Sequence, residues 1–315
     1  MGWLGWSALT LVLLGAAAFG LWRWATATGS AGTLEWIDAR FSRTVEAKLA
    51  ARAQYGSNPA QHLELWVPEG RTERPWPLTV FYHGGGWHSG EPADYRFVAR
   101  TFAEHGFATA LVGYRLVPEG RFPAMLQDSA AGLAWLTRHA RQHGVAGTRA
   151  VLAGHSAGAY NAVMLALDPQ WLTKAGVSAS AVAGVVGLAG PYDFYPFTSD
   201  SGRNALGHVQ PPAATQPISF VRADIPPLLL MSGTADTVVR PRNSRVLDRA
   251  IHAAGGPSEA ILFDGMGHAG IVMALSKPFS QNDVVTRELI GFARARLASG
   301  GLLARTSADV QGEPR

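Results

Sequence analysis

Residues 148–158 read Thr-Arg-Ala-Val-Leu-Ala-Gly-His-Ser-Ala-Gly, a short apolar run that leads directly into a Gly-x-Ser-x-Gly pentapeptide. Residues 157–167 are good helix formers, so the pattern predicts a strand, a sharp turn and a helix in that order. Such a turn pushes the Oγ of Ser156 out to where a base and a substrate can reach it. Glycine is expected at 154 and 158 because a side chain there would collide with the neighbouring strand or helix.

Apolar strands alternate with helices on both sides of this turn. The pattern predicts strands at 62–67, 78–82, 107–114, 150–153, 182–188, 227–231 and 260–263, and helices at 93–105, 122–143, 157–167, 240–254 and 283–298. Regular alternation of this kind indicates an α/β fold with a mostly parallel central sheet covered by helices on both faces. Residues 191–225 are rich in Pro, Ser, Gly and aromatic residues and lack periodicity, so we interpret them as an insertion that caps a pocket.

The composition excludes several classes of protein. The 315 residues are 47% hydrophobic and 16% charged, which is enough for one large globular domain, expected at 57–298. Cysteine is absent, so disulfides, thiolate zinc sites and cysteine nucleophiles are excluded. The net charge of +4 is modest and the basic residues are scattered, which argues against a nucleic-acid partner. The sequence does not define the oligomeric state.

The N-terminal segment predicts a membrane anchor at 2–24. Residues 2–22 carry no charge, are long enough to cross a bilayer as a helix, and have tryptophans near both ends. A cleaved signal peptide is the alternative, because residues 25–27 (Ala-Thr-Ala) resemble a small-x-small cleavage site. No positive charge precedes the apolar run and Arg23 follows it, which favours an uncleaved single-pass anchor in a bacterial inner membrane.

The segments that flank the main domain give weaker signals. All the basic residues near the anchor follow it. Because basic flanking residues tend to stay on the cytoplasmic side, this distribution favours a cytoplasmic domain. If the N-terminal segment were cleaved as a signal peptide, the domain would instead be periplasmic or secreted. Residues 29–56 carry apolar residues at helical spacing and predict an amphipathic linker helix that packs on the domain. The tail, 299–315, is expected to be disordered.

A nucleophilic serine needs a histidine base, and the histidine needs a carboxylate that holds it. Three histidines lie downstream of Ser156. His208 falls in the irregular insertion and His252 falls within a predicted helix. His268 follows a strand in a glycine-rich loop, at the carboxyl edge of the sheet where such a base is expected. The sequence therefore predicts His268 as the base.

Three aspartates are candidates for the carboxylate. Asp236 follows the strand that precedes the histidine strand, Asp193 follows the strand before that one, and Asp264 is close to the histidine in sequence. The position of Asp236, just past the strand that comes one before the histidine loop, favours it as the acid. We interpret Asp193 as a capping residue of the insertion and Asp264 as part of a turn.

Residues 83–87 read His-Gly-Gly-Gly-Trp and follow a predicted strand. Three glycines let the backbone approach a substrate and turn its N–H groups inward. A phosphate-binding loop is disfavoured because no Gly-Lys-Ser/Thr follows and no helix starts at the required position. We interpret His83 and His155 as structural residues, and Trp87 as a residue that lines the substrate pocket or packs beside it.

The motifs together carry a family resemblance. His-Gly-Gly-Gly-Trp at 83–87, Gly-His-Ser-Ala-Gly at 154–158, Gly-Thr-Ala-Asp at 233–236 and Gly-His at 267–268 resemble the α/β-hydrolase superfamily. The resemblance is strongest to bacterial esterases and lipases of the hormone-sensitive-lipase-like and feruloyl-esterase-like groups. It covers about residues 55–298.

The resemblance implies a serine carboxylesterase. It assigns roles to six residues, which are the triad Ser156, His268 and Asp236 and the oxyanion-binding amides of Gly85, Gly86 and Ala157. Catalysis through an acyl-enzyme requires neither a metal nor a cofactor. The expected substrates are short-chain acyl esters of small molecules or glycans. An amidase, arylformamidase or peptidase that uses the same triad is the alternative, and a non-catalytic binding module is a further one.

Overall fold

The computed structural model describes residues 31–42, 47–70, 74–280 and 284–309, together with the isolated positions 12, 15 and 20. The strands of these parts are β1 (Ala47–Gln54), β2 (His62–Pro68), β3 (Trp76–Tyr82), β4 (Ala108–Val112), β5 (Val145–His155), β6 (Val182–Leu188), β7 (Leu228–Gly233) and β8 (Ser258–Phe263). The α-helices are α1 (Ala31–Phe41), α2 (Arg96–Glu104), α3 (Ala124–His139), α4 (Ala157–Leu167), α5 (Gln170–Lys174), α6 (Asp200–Leu206), α7 (Arg242–Ala253), α8 (His268–Met273) and α9 (Val284–Asp309).

The strands form one eight-stranded sheet in the order β1-β2-β4-β3-β5-β6-β7-β8. The pairs β1–β2 and β2–β4 are antiparallel, and every other neighbouring pair is parallel. All residues of β4 and β6 are buried, as expected of near-continuous apolar strands with helices on both faces. The prediction of a mostly parallel α/β sheet is confirmed.

A hydrophobic core lies on each face of the sheet. In β3, Val80 and Tyr82 belong to one core and Phe81 belongs to the other, because successive side chains of a strand point to opposite faces. Helices α3 and α4 add their apolar residues to the first core. Helices α2 and α9 add theirs to the second. The carboxyl ends of the parallel strands therefore open along one edge, where sites of α/β proteins form.

The segment before the domain departs from the prediction of one helix over 29–56. Helix α1 occupies only Ala31–Phe41, and Ala47–Gln54 form strand β1, which pairs with β2 from Ala47↔Pro68 to Gln54↔His62. The sheet thus begins at Ala47 and not at residue 57. The reason is that β2 would otherwise leave an unpaired edge, and pairing with that edge outweighs the weak helical pattern.

The C-terminal end of the chain differs from the sequence prediction, and the predicted N-terminal anchor falls almost entirely outside the described residues. Helix α9 continues to Asp309, where a disordered tail from residue 299 was predicted, because residues 302–305 are good helix formers that extend a helix already nucleated. Among the described residues, no helix is both long and apolar enough to cross a membrane. The predicted anchor at 2–24 lies outside the described residues, apart from positions 12, 15 and 20.

Candidate active site

Ser156 occupies the sharp turn between β5 and α4. Its backbone has φ 54° and ψ −116°, a strained conformation for a residue with a side chain, and its N–H donates to the carbonyl of Leu188 at 2.8 Å. A Cβ on Gly154 would lie 2.4 Å from the carbonyl of Gly158, and a Cβ on Gly158 would lie 2.0 Å from the carbonyl oxygen of Tyr82. Both glycines are therefore required by the close approach of β5, α4 and β3, as the sequence predicted.

The structure brings Ser156, His268 and Asp236 together although they lie far apart in the sequence. The Nε2 atom of His268 lies 3.0 Å from the Oγ of Ser156, and its Nδ1 lies 2.8 Å from Oδ2 of Asp236. An ionised carboxylate only accepts, so Nδ1–H donates to Asp236 and Nε2 is left to accept from the serine hydroxyl. This tautomer is the one that can take a proton from Ser156.

Backbone amides hold Asp236 in its orientation. Its side chain is buried, and Oδ1 accepts hydrogen bonds from the N–H groups of Val238 and Val239, both at 2.9 Å. Oδ2 remains to accept from His268. The two oxygens of the carboxylate therefore have separate tasks, because one is fixed by the loop after β7 and the other orients the imidazole.

The competing residues of the sequence analysis have other partners. Asp193 accepts from the guanidinium of Arg242 at 2.7 Å, and Asp264 accepts from the hydroxyl of Thr234 at 3.0 Å. The Nε2 of His208 donates to a backbone carbonyl at 2.9 Å, and the Nδ1 of His252 lies 3.0 Å from another. In the described part of the chain, no hydrogen bond joins any of these four residues to Ser156 or His268.

The glycine loop after β3 has the backbone needed to present amides to an anion. Gly85, Gly86 and Trp87 all have positive φ, at 113°, 61° and 63°, and a Cβ on Gly85 would lie 2.1 Å from the carbonyl oxygen of Ser89. Within the described chain, the amides of Gly85, Gly86 and Ala157 donate to no acceptor. The three amides belong to residues that line the same cavity as Ser156, which is the arrangement an oxyanion site requires.

Hydrogen bonds beneath the loop hold it in place. The Nδ1–H of His83 donates to the carbonyl of Gly84 at 2.8 Å, and its ring stacks on Tyr114 with centroids 4.3 Å apart. The hydroxyl of Tyr114 donates to the carbonyl of His83 at 2.7 Å, while the N–H of Gly84 donates to the hydroxyl of Tyr95 at 3.1 Å. Because no contact joins His83 to Ser156, its position fits the structural role predicted from the sequence.

His155 joins the serine turn to the histidine loop. Its Nε2–H donates to the backbone carbonyl of His268 at 3.1 Å, and the two rings lie 4.9 Å apart. Its Nδ1 is buried without a partner among the described residues and faces Gly84, since a Cβ there would lie 2.9 Å from that nitrogen. The sequence predicted a structural role for His155, but no local pattern could reveal its contact with His268.

The two buried histidines predict an acid-sensitive stability. Burial lowers the pKa of His83 to about 4 and that of His155 to about 3, whereas each binds a proton near pH 6.5 in the unfolded chain. The unfolded state therefore binds more protons as the pH falls below 6.5. We expect the free energy of unfolding to drop by up to about 1.4 kcal/mol per histidine for each pH unit between about 6.5 and 4.

Urea unfolding of the parent and of His83→Gln and His155→Gln at pH 7, 6 and 5 measures this effect. Glutamine does not titrate, so each substitution should flatten the pH dependence even though it also lowers stability at pH 7. Equal pH slopes for all three proteins would show that the buried histidines do not cause the loss.

A cavity of about 1280 Å³ opens beside Ser156. Its wall includes Leu34 and Ile37 of α1, a helix that the sequence analysis placed on the domain without locating it. The insertion contributes residues from Pro191 to Ser201. Trp87 lines the cavity and also packs, since its ring stands edge-on to one aromatic neighbour at 5.3 Å and its Nε1–H donates to Asn161 at 3.3 Å.

The strand order, the turn at Ser156 and the hydrogen-bonded serine, histidine and aspartate define an α/β-hydrolase. The family model of BD-FAE matches residues 63–251, which is more than half of the chain. The protein therefore belongs to the BD-FAE family.

Curated relatives and solved structures are consistent with this membership. Esterase LipC of Mycobacterium tuberculosis is 27% identical over 237 residues, which are 69% of this chain and 59% of that protein. A probable isoprenylcysteine alpha-carbonyl methylesterase of rice, Oryza sativa, is 24% identical over 239 residues, or 70% and 58%. Esterase B of Lactobacillus rhamnosis superposes with a TM-score of 0.75 at 22% identity, covering 92% of this chain and 97% of that one. The chain thus spans less than two thirds of the length of these curated relatives.

Proposed function

We propose that the protein is a membrane-anchored serine carboxylesterase that hydrolyses short-chain acyl esters through an acyl-enzyme. The observation that carries the proposal is the continuous hydrogen-bonded chain from Asp236 through His268 to Ser156, with distances of 2.8 and 3.0 Å. Serine is a weak nucleophile until an oriented base removes its proton, and this chain supplies both the base and its orientation.

In the acylation step, the Oγ of Ser156 attacks the ester carbonyl carbon while His268 takes the serine proton. The carbonyl oxygen becomes an oxyanion that accepts hydrogen bonds from Gly85, Gly86 and Ala157. Donors of this kind typically lower the barrier by about 3 kcal/mol each. The tetrahedral intermediate collapses, the alcohol leaves with the proton from His268, and the acyl group remains on Ser156.

In the deacylation step, His268 takes a proton from water, and the resulting hydroxide attacks the acyl-enzyme carbonyl. Collapse of the second tetrahedral intermediate releases the carboxylic acid and returns the proton to Ser156. Throughout both steps Asp236 stays ionised and stabilises the imidazolium of His268. Its two amide partners, from Val238 and Val239, hold the carboxylate in position during both steps.

The names of similar proteins support ester substrates. The relatives include an esterase, a carboxylesterase and methylesterases, and solved neighbours include a carbohydrate esterase from gut microbiota and Esterase B inhibited by a tributyrin phosphonate. Tributyrin carries four-carbon acyl groups, which supports the short-chain preference. The carbohydrate esterase supports acyl groups on a glycan as one substrate class.

Membrane anchoring rests on the sequence of the N-terminal segment. Residues 2–22 are free of charge and match the length of a bilayer-spanning helix. We propose that the anchor remains in the mature protein and that the catalytic domain follows it on the side favoured by the trailing basic residues, the cytoplasmic side of a bacterial inner membrane.

Hydrolysis of p-nitrophenyl esters from C2 to C12, and of a matched anilide, tests the proposed activity. We expect kcat/KM to be highest for C2 to C4 and to fall with chain length. The anilide should react at least about 100-fold more slowly, a difference of about 2.7 kcal/mol in activation free energy. Equal or faster cleavage of the anilide would instead support an amidase or arylformamidase, and no turnover of any ester would contradict the proposal.

A further inference from the structure

Helix α1 is both a wall of the catalytic cavity and a rigid part of the domain. Leu34 and Ile37 face the cavity. On another side of the helix, the guanidinium of Arg100 binds Glu35 and Asp38, each at 2.7 Å, and Asp38 also accepts from the N–H of Lys277 at 2.6 Å. Because Asp38 is buried and these bonds are charge-assisted, the position of α1 relative to the cavity is fixed.

Helix α1 also carries two exposed aromatic side chains. The side chains of Trp36 and Phe41 are each 59% exposed, and the guanidinium of Arg40 lies 3.5 Å above the ring of Trp36. Large aromatic residues with an adjoining arginine are typical of surfaces that enter the interface between lipid headgroups and acyl chains.

The cavity opens among further exposed apolar and basic residues. Tyr195 is 56% exposed and Val238 is 72% exposed, and both line the cavity together with the exposed Arg240. We refer to these three residues, together with Trp36, Arg40 and Phe41 of the helix that forms one cavity wall, as the rim. The two arginines of the rim are attracted to an anionic lipid surface, while the nearby cavity wall also holds Asp94 and the ion pair of Asp193 with Arg242.

The length of the chain before α1 limits how far the rim can lie from a bilayer. Eight residues, 23–30, separate the apolar segment 2–22 from the start of α1 at Ala31. Even a fully extended chain of eight residues spans only about 28 Å. An anchor in the bilayer would therefore keep the start of α1, the helix that forms one wall of the cavity, within about 28 Å of the lipid surface.

We propose that the rim docks on the bilayer and that the cavity takes its substrate from it, as an ester of a membrane amphiphile whose scissile bond lies at the headgroup level. The rigid domain rests on the surface without entering the hydrocarbon, so it reaches esters of headgroups and not those buried among acyl chains. This inference rests on the proposed esterase function and on the proposed anchor, and it identifies the substrate class of the enzyme.

The test compares two acetate esters with the full chain reconstituted in vesicles of phosphatidylcholine and phosphatidylglycerol. One substrate is water-soluble p-nitrophenyl acetate, and the other is 3-acetyl-1,2-dioleoylglycerol within the vesicles, followed by acetate release. The variant Trp36→Ser/Phe41→Ser removes the two apolar anchors and leaves Glu35 and Asp38 intact. We expect its rate on the lipid acetate to fall about tenfold or more, with an unchanged kcat/KM on the soluble ester.

The matched control is Leu49→Ser/Val284→Ser, which removes two exposed apolar side chains of β1 and α9 that are 38% and 37% exposed. It should leave both rates unchanged. The docking proposal would be overturned if the rim variant Trp36→Ser/Phe41→Ser hydrolysed the lipid acetate as fast as the parent protein. It would also be overturned if the variant lost the same activity on both substrates. Failure of the parent protein on both esters would instead count against the esterase function itself.

Discussion

Ester hydrolysis by the Ser156→Ala protein should be slower than that of the parent by about 100,000-fold in kcat. The reason is that alanine removes the only oxygen within hydrogen-bond distance of the Nε2 of His268 among the described residues, so no acyl-enzyme can form. The oxyanion amides and the cavity remain and leave a small residual rate above that in water. Initial rates of p-nitrophenyl acetate hydrolysis at pH 8 measure the loss.

Three further variants separate a missing nucleophile from a damaged fold. His268→Ala should lose as much activity as Ser156→Ala, and the double variant should lose no more, because the two residues act as one unit. Ser199→Ala, which changes another serine of the same cavity, should retain activity within about twofold. A Ser156→Ala protein that keeps more than a tenth of the parent kcat would contradict the assignment of the nucleophile.

Asp236→Asn should lower kcat by about 10,000-fold, the size of effect that follows from a wrong histidine tautomer. The amides of Val238 and Val239 both donate to Oδ1, so the asparagine keeps its oxygen there and turns its NH₂ group toward His268. The Nδ1 of His268 must then accept, and the proton moves to Nε2, which can no longer take a proton from Ser156. Stopped-flow acylation with p-nitrophenyl acetate measures this step directly.

Asp193→Asn is the matched control for the second prediction. Asp193 also follows a strand at this edge and lines the cavity, but it pairs with Arg242 and not with His268. Its substitution should change kcat less than about fivefold, because an exposed ion pair contributes at most about 1 kcal/mol. A larger loss of activity with Asp193→Asn than with Asp236→Asn would show that Asp193, and not Asp236, is the acid of the triad.

The sequence predicted the central features of the candidate site because they depend on local patterns. The turn at Ser156 follows from two glycines and the strand-to-helix change around them. The roles of Asp236 and His268 could be predicted from their positions just after strands, since the carboxyl ends of parallel strands meet at one edge of the sheet. The distances of 2.8 and 3.0 Å add what a sequence cannot give, which is the simultaneous fit of both hydrogen bonds to one imidazole.

The missed features depend on contacts between distant parts of the chain. Strand β1 (Ala47–Gln54) is rich in alanine and basic residues, so its local preference is helical, and only the edge of β2 makes it a strand. Asp38 reads as part of a solvated helix face, yet it is buried against Arg100, 62 residues further along the chain. The contact of His155 with the backbone of His268 is likewise invisible in the sequence.

The central claim is that Ser156 is a nucleophile activated by His268, and covalent labelling tests it most directly. Trypsin cleaves after Arg149 and Lys174 to release residues 150–174, a peptide whose only serine is Ser156. After the full chain is treated with a fluorophosphonate and digested, mass spectrometry should find one adduct, on this peptide. The rate of labelling should be at least about 100-fold lower in Asp236→Asn. Labelling of another peptide, or hydrolysis that persists without any adduct on Ser156, would contradict the account.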